Sequence, residues 1–260
     1  AFKTFWMNDL VYRVASFMIM RDPECWRWSH TRHHTDTIIV GRDPEIAVQR
    51  PPSLWKVALY SFGWPTAYVA LKKLVIHSAG RLLPDEATWV PESEWSKVYR
   101  DARIFLAIHI AAVVAAIAFH SWLPVMFVGP LPLMYGAWLG VYFGLTQHIG
   151  LAEDVLDHRL CARTVYMNPI FRFLYLNMNY HVEHHMFPMV PYHALPKLHQ
   201  AIKADTPTPC ASTIEAYFGE ILPALWRQRN DPGYTIRRPL PSSATPYAAT
   251  SGPAVAVPAE

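Results

Sequence analysis

The fold of this chain is decided by residues 104–152, IFLAIHIAAVVAAIAFHSWLPVMFVGPLPLMYGAWLGVYFGLTQHIGLA, which contain no Asp, Glu, Lys or Arg. A helix that crosses a bilayer needs about 20 apolar residues, so this stretch has room for two. We place them at about residues 102–122 and 125–146, with a break marked by Pro124, Gly129 and Pro130. The stretch therefore predicts a tight transmembrane hairpin. The alternative is a buried hairpin in a soluble protein, a class in which so long a charge-free run is unusual.

Two further apolar stretches lie upstream of this hairpin. Residues 54–76 are interrupted by Gly63, Trp64 and Pro65, which leaves a kinked span, a re-entrant segment and an interfacial helix as alternatives. Residues 1–20 have the composition of the end of a span or of an interfacial helix. The sequence as a whole predicts an all-α, helical integral membrane protein.

The charges around the hairpin predict its orientation. If residues 104–146 cross out and back and residues 54–76 do not cross, the segments on either side emerge on the same membrane face. Both flanks are rich in basic residues: Lys72, Lys73, Arg81, Lys97, Arg100, Arg103, Arg159, Arg163 and Arg172. The positive-inside tendency places both flanks in the cytoplasm.

One histidine motif occurs twice, as HTRHH at residues 30–34 and HVEHH at residues 181–185. Positions i, i+3 and i+4 share one face of a helix, so each copy presents three imidazoles together. With 13 His in 260 residues, two copies by chance are about a one-in-a-thousand event. Such a face is costly to bury unless its nitrogens find partners. We therefore interpret both motifs, named here box one and box two, as metal ligands.

The cysteines, the other metal motifs and the number of imidazoles indicate which kind of metal site the boxes form. Cys25, Cys161 and Cys210 form no CxxC pair, which predicts neither a disulfide framework nor a cysteine-based zinc or iron–sulfur site. The HExxH pattern of zinc proteases is absent, and six imidazoles exceed what one tetrahedral zinc ion binds. Two ions of iron, copper or zinc fit the donor set. Without a GxGxxG fingerprint, oxygen activation by iron on an apolar substrate is the favoured chemistry.

The rest of the chain carries few functional signals. A net charge of +3 without a basic run gives no indication of nucleic-acid binding. From Asp231 the chain is rich in Pro and Ala with little charge after Arg238, so residues 231–260 are predicted to be a disordered tail.

The boxes, their order and the hairpin between them resemble the membrane fatty acid desaturase superfamily of non-haem diiron enzymes. The resemblance rests most on residues 179–188, NYHVEHHMFP, and 191–196, PYHALP. Residues 28–34 and the GRDPE at 41–45 are similar to bacterial branches, including desaturases of the rhizobitoxine type. The likeness covers about residues 1–201 and is specific for the superfamily rather than for a substrate.

The resemblance implies a set of site residues. Two irons would be ligated by the box histidines and by one His from the preceding span: His30, His33, His34, His148, His181, His184 and His185. Asn177 is a candidate for holding iron through water, or for a cap. Carboxylates that could accept the second ring N–H of a ligand are Asp36, Asp43, Asp157 and Glu183, with ordinary surface positions as the alternative.

One departure from the family pattern concerns the start of the chain. The family has a further HxxxH or HxxxxH box upstream, whereas no His precedes His30. We therefore expect residues 1–230 to be an N-terminally truncated desaturase-like domain that lacks the first box and, as given, turns over poorly.

The reaction that the resemblance implies is O2-dependent desaturation of a fatty acyl chain or similar aliphatic substrate. Electrons would come from an external ferredoxin or cytochrome, and the expected location is the bacterial inner membrane with the site facing the cytoplasm. A hydroxylase or ketolase of a lipid or carotenoid on the same scaffold is the first alternative. A non-enzymatic metal-binding membrane protein is the second.

Overall fold

The computed structural model describes residues 2–46 and 48–245, and within them the protein is helical. Backbone pairing outside the helices includes two isolated bridges, Thr164 with Tyr180 and Val165 with Cys210, and no strand forms in the described part. The α-helices are α1 Phe5–Met18, α2 Pro23–Thr35, α3 Leu54–Ser61, α4 Trp64–Ser78, α5 Glu92–Ala118, α6 Leu123–Phe127, α7 Pro130–His148, α8 His158–Cys161, α9 Pro169–Leu174, α10 His181–Met186, α11 Leu195–Ile202 and α12 Leu222–Gln228. Short 3-10 helices span Glu86–Thr88 and Tyr192–Ala194, and a π-helix spans Glu215–Ile221.

The predicted transmembrane hairpin is formed by α5 on one side and by α6 and α7 on the other. Its two helical stretches, Glu92–Ala118 and Leu123–His148, are long and apolar enough to cross a membrane, and their most apolar windows are only 17% and 6% buried. A hairpin in the core of a soluble protein would bury most of that surface, so the exposed faces fit lipid instead. The first helix ends earlier than predicted, because the chain turns at His120 (φ 47°).

Residues 54–76 form a second helical hairpin rather than one kinked span. The chain reverses between α3 and α4 at Gly63, which has φ +69° and lies so close to α7 that a Cβ there would be 2.2 Å from the carbonyl oxygen of Leu133. Leu133 is near the start of α7 and therefore far from its end at His148. The far end of α4 is held to α5 by the Arg103 Nε to Ser78 O hydrogen bond of 2.9 Å. This geometry matches the re-entrant alternative.

The N-terminal helix is tied to the rest of the fold by charge. Arg13 of α1 pairs with Asp9, with Glu24 of α2 at 3.0 Å and with Asp101 of α5. Glu24 and Asp101 are buried, so their charges require this partner. The three helices are thereby fixed around the start of α2, the helix that carries box one.

The segment after α12 differs from the predicted disordered tail over residues 231–245. Ile236 donates its N–H to the carbonyl of Gly150 at 2.7 Å, and Arg238 pairs with Glu220 at 3.0 Å. Composition alone missed these anchors, because two well-placed side chains hold a segment whose other residues are small and polar. The remainder of the predicted tail, residues 246–260, lies outside the described residues.

Gly63 supports a stability prediction. Gly63→Ala and Gly41→Ala both place a Cβ on a residue with φ near +70° to +80° (φ +69° and +79°), but a Cβ at Gly41 meets no atom within 4 Å. The left-handed backbone therefore strains both alanine variants equally, at a cost of about 1 kcal/mol in each variant. We expect Gly63→Ala to lower the melting temperature in detergent clearly more than Gly41→Ala. Equal losses would show that the contact between Gly63 and α7 is not tight.

Candidate metal centre

The structure gathers all seven predicted histidine ligands into two adjacent clusters. The four-histidine cluster contains His33, His148, His181 and His185, and the three-histidine cluster contains His30, His34 and His184. In each cluster the candidate ligand atoms all lie within 4.8 Å of one another. Each cluster has the donor number of a metal site.

Each box contributes to both clusters. Residues i and i+4 of a helix differ by about 40° around its axis, whereas i+3 lies about 60° to the other side of i. His30 and His34 of α2 accordingly enter the three-histidine cluster while His33 enters the other. On α10 the pair is His181 and His185, and His184 crosses over. The HxxHH spacing therefore divides each box two to one.

The ring nitrogens converge at distances that suit a shared cation. His34 Nε2 lies 3.2 Å from His30 Nε2 and 3.0 Å from His184 Nε2. In the other cluster, His181 Nε2 lies 2.9 Å from His148 Nε2 and 3.0 Å from His185 Nε2. Two nitrogens that each bind one metal at about 2.1 Å, at tetrahedral or octahedral angles, are about 3.0–3.4 Å apart. The observed spacing fits metal ligation.

Several of the clustered histidines are held in the neutral form that metals bind. Burial first, and neighbouring imidazoles second, lower the pKa of His184 to about 4 and that of His34 to about 2. The same two causes lower the pKa of His181 and His185 well below the usual value. Lone pairs on these rings are therefore free of protons at neutral pH.

Outer partners fix the orientation of several rings. His33 Nδ1 donates to Asp43 Oδ2 at 2.8 Å, and His30 Nδ1 donates to Glu45 Oε2 at 3.0 Å. His148 Nδ1 donates to the carbonyl of Cys161 at 2.7 Å. A proton on Nδ1 leaves the lone pair on Nε2, which faces the cluster. Burial alone would raise the pKa of the Glu45 carboxyl, but the hydrogen bond from His30 lowers it.

Of the four carboxylates named from the sequence, Asp43 contacts a clustered histidine. Asp36 instead pairs with Arg32 and with Arg42, at 2.7 Å in the second case. Asp157 instead caps α8 and pairs with Arg159 at 2.9 Å. The predicted histidine contacts of Asp36 and Asp157 are therefore wrong, because each carboxylate has a nearby arginine on its own stretch of chain.

Glu183 and Asn177 also have partners other than the clustered rings. Glu183 is buried and accepts hydrogen bonds from Thr164 Oγ1 at 2.6 Å and from His199 Nδ1. Glu183 thus connects box two to Thr164 and His199 and does not orient a clustered ring. Asn177 has φ 55° and accepts a hydrogen bond from Arg172 Nε at 3.3 Å.

Sequence reasoning missed three neighbours of the clusters. Glu45 was visible only as part of the GRDPE stretch, two residues after Asp43, and that spacing was a usable signal. Thr37 Oγ1 lies 3.1 Å from His185 Nδ1. The His158 ring centroid lies 5.4 Å from that of His185. Thr37 and His158 depend on tertiary contacts that the sequence pattern does not contain.

Comparison with protein families agrees with this geometry. The model of the family described as "Fatty acid desaturase" matches residues 2–217. The chain belongs to the fatty acid desaturase family. No match was found among curated proteins or among solved structures. Family membership confirms the predicted superfamily, implies an oxidoreductase in a membrane context, and is consistent with the two exposed apolar helices.

Asp43 supports a prediction about metal affinity. Asp43→Asn weakens the acceptor that orients His33, and such outer partners are worth about 10–100-fold in metal affinity. We expect Co²⁺ or Fe²⁺ to bind that much more weakly in a competition against a chelator. Asp36→Asn is the matched control, because Asp36 lies in the same loop region and pairs with arginines. Equal weakening by both variants would contradict the assigned role of Asp43.

The neutral histidines support a pH prediction for the metal-free protein. The pKa of His184 is about 4 in the folded chain against an ordinary value of 6.5, so the unfolded chain binds more protons between those values. Stability from the neutral cluster is therefore complete above pH 6.5 and is lost as pH falls toward 4. The melting temperature should fall over this window, and less steeply in His184→Gln. A flat profile would contradict the buried, neutral cluster.

Proposed function

We propose that this family member is an O2-dependent desaturase that introduces a double bond into a fatty acyl chain or similar aliphatic substrate at a histidine-ligated diiron centre. The observation that carries this proposal is the division of the two boxes into neighbouring clusters of four and three imidazoles. The ring centroids of His34 and His185, from different clusters, are only 4.4 Å apart. Two ions bound in these clusters would be close enough to act on one substrate.

Iron fits the donor set better than a closed structural zinc. Seven nitrogen donors divided between two sites exceed the four of one tetrahedral ion, and imidazole suits iron. When bound, the iron pair would supply the reductive activation of O2 that removes hydrogen from an unactivated C–H bond. The protein's part is to hold the ions, position the substrate carbon and exclude water.

The position of the clusters favours a lipid substrate. His148 is the last residue of α7, the returning helix of the apolar hairpin, so the site lies where a membrane-embedded acyl chain can reach it. The three-histidine cluster is the more open, since the His30 side chain is 38% exposed. We infer that substrate and O2 approach from this side, whereas the four-histidine cluster is largely buried.

Electrons and orientation complete the proposal. The proposed reaction consumes electrons, which an external ferredoxin or cytochrome would deliver. The basic residues that flank the hairpin favour a cytoplasmic site, and the resemblance of residues 28–45 to bacterial branches favours a bacterial inner membrane.

Product analysis tests the proposal. The chain is expressed from its complete gene in a host supplied with ferredoxin and reductase, and lipids and polar metabolites are compared by mass spectrometry. We expect a product two hydrogens lighter than its precursor, lost in His184→Ala because that change removes a ligand from the three-histidine cluster. His193→Ala, an exposed histidine outside both clusters, should retain the product.

Other products would decide between the remaining readings. A gain of one oxygen would replace desaturase by hydroxylase on the same metal centre. No product from iron-loaded protein with its electron donor, together with one labile zinc per chain bound by the histidine clusters, would favour a metal-binding protein without this activity.

A further inference from the structure

A second group of metal-ligand types lies away from the histidine clusters, where the start of α2 meets the end of α4. It consists of Asp22, Cys25 and His77, whose candidate ligand atoms lie within 4.8 Å of one another. Asp22 caps α2, Cys25 is in the first turn of that helix, and His77 is in the last turn of α4. Sequence spacing did not reveal the group, because His77 is remote in the chain and D-x-x-C is not a zinc signature.

One carboxylate oxygen of Asp22 makes no hydrogen bond within the described residues. Asp22 Oδ1 accepts the N–H groups of Glu24 and Cys25 at 3.0 and 2.9 Å, whereas Asp22 Oδ2 is buried and has no hydrogen-bond partner among the described residues. The Asp22 side chain is only 9% exposed. His77 Nδ1 lies 3.6 Å from Oδ2, which is too long for a hydrogen bond. Asp22 Oδ2 therefore has the His77 ring as a nearby counter-charge but no hydrogen bond, and a metal ion between the two groups would bind both.

The histidine of this group is oriented from its other side. His77 Nε2 donates to Glu86 Oε2 at 2.7 Å, and that oxygen also accepts the Leu83 N–H at 2.9 Å. Lys73 Nζ balances the other Glu86 oxygen at 2.9 Å. This is the carboxylate–histidine arrangement that supports metal-bound imidazoles, since it leaves Nδ1 to face the ion.

We propose that Asp22, Cys25 and His77 bind a zinc ion, with Glu86 orienting His77 from outside. Thiolate, imidazole and carboxylate are all zinc ligands, and one thiolate with one carboxylate neutralises the Zn²⁺ charge at a buried position. Three protein ligands leave the fourth tetrahedral position to water.

Without metal, a proton takes the place of the ion. Burial alone would lower the pKa of His77, but the neighbouring carboxylates of Asp22 and Glu86 raise it to about 9. Burial raises the pKa of the Cys25 thiol. Zinc binding thus forms the Zn–S and Zn–N bonds and releases one proton from Cys25 and one from His77, with no change of oxidation state.

The role of the site is to fasten the helix that carries box one. Cys25 and His30 are on the same helix, so an ion between Cys25 and His77 fixes α2 to the α3–α4 hairpin at one end while box one lies at the other. A metal bound only by the folded chain also stabilises it by mass action.

Cobalt spectroscopy tests the proposal, because a thiolate ligand gives Co²⁺ a near-ultraviolet charge-transfer band that imidazole-only sites lack. The complete protein is purified in detergent, freed of metal and titrated with Co²⁺. We expect the band in the wild type, its loss in Cys25→Ser, and its persistence in Cys161→Ser and Cys210→Ser, which change buried cysteines elsewhere. Added Zn²⁺ should bleach the band.

Asp22→Asn provides a second test that stays informative if Cys25→Ser fails to fold. Asparagine caps a helix as well as aspartate does, so this variant keeps α2 while losing the charged ligand. We expect it to weaken Co²⁺ binding in the thiolate band by at least about tenfold. Absence of the band in the wild type, its survival in Cys25→Ser, unchanged affinity in Asp22→Asn, or failure of zinc to displace cobalt would each overturn the proposal. None of these outcomes bears on the histidine clusters, whose cobalt spectrum lacks the band.

Discussion

Seven imidazole rings share one largely buried space, and their Nε2 atoms converge without a carboxylate among them. Burial and mutual proximity lower the pKa of several of these rings, so they cannot relieve one another by taking up protons. Each lone pair needs a partner, which is either a cation or an N–H from a neighbouring ring, and an N–H can serve only one lone pair. Metal ions satisfy all of them at once, and the rest of the structure holds the rings where ions can bind.

Three structural elements bring the rings together. The transmembrane hairpin returns the chain so that His148 and box two reach box one from the far end of the sequence. The α3–α4 hairpin packs against α7 at Gly63. The ion pairs of Arg13 with Glu24 and Asp101 fix α2 beside α1 and α5. Asp43 and Glu45 then turn individual rings of box one. These contacts together hold the ring nitrogens within 4.8 Å of one another in each cluster.

The sequence was sufficient for the parts of this arrangement that depend on local periodicity. The HxxHH spacing and the charge-free stretch predicted the box histidines and the hairpin, whereas His148 was predicted from the family resemblance. The spacing could not assign each ring to a cluster, because that depends on how α2 and α10 face each other. The sequence analysis also assigned Asp36 to a histidine, although Arg32, four residues earlier, is the partner that i, i+4 spacing predicts. The contact of Glu45 with His30 could not be predicted either, because it depends on a loop that turns back to α2 through the left-handed residues Ile38 and Gly41.

The most direct test of two separate clusters is Mössbauer spectroscopy of the complete protein loaded with ⁵⁷Fe. The arrangement predicts two irons per chain in distinguishable environments. His30→Ala should perturb one signal and His33→Ala the other, although the two residues are three apart on one helix. A single iron, or the same signal perturbed by both variants, would contradict the division of each box between two metal sites.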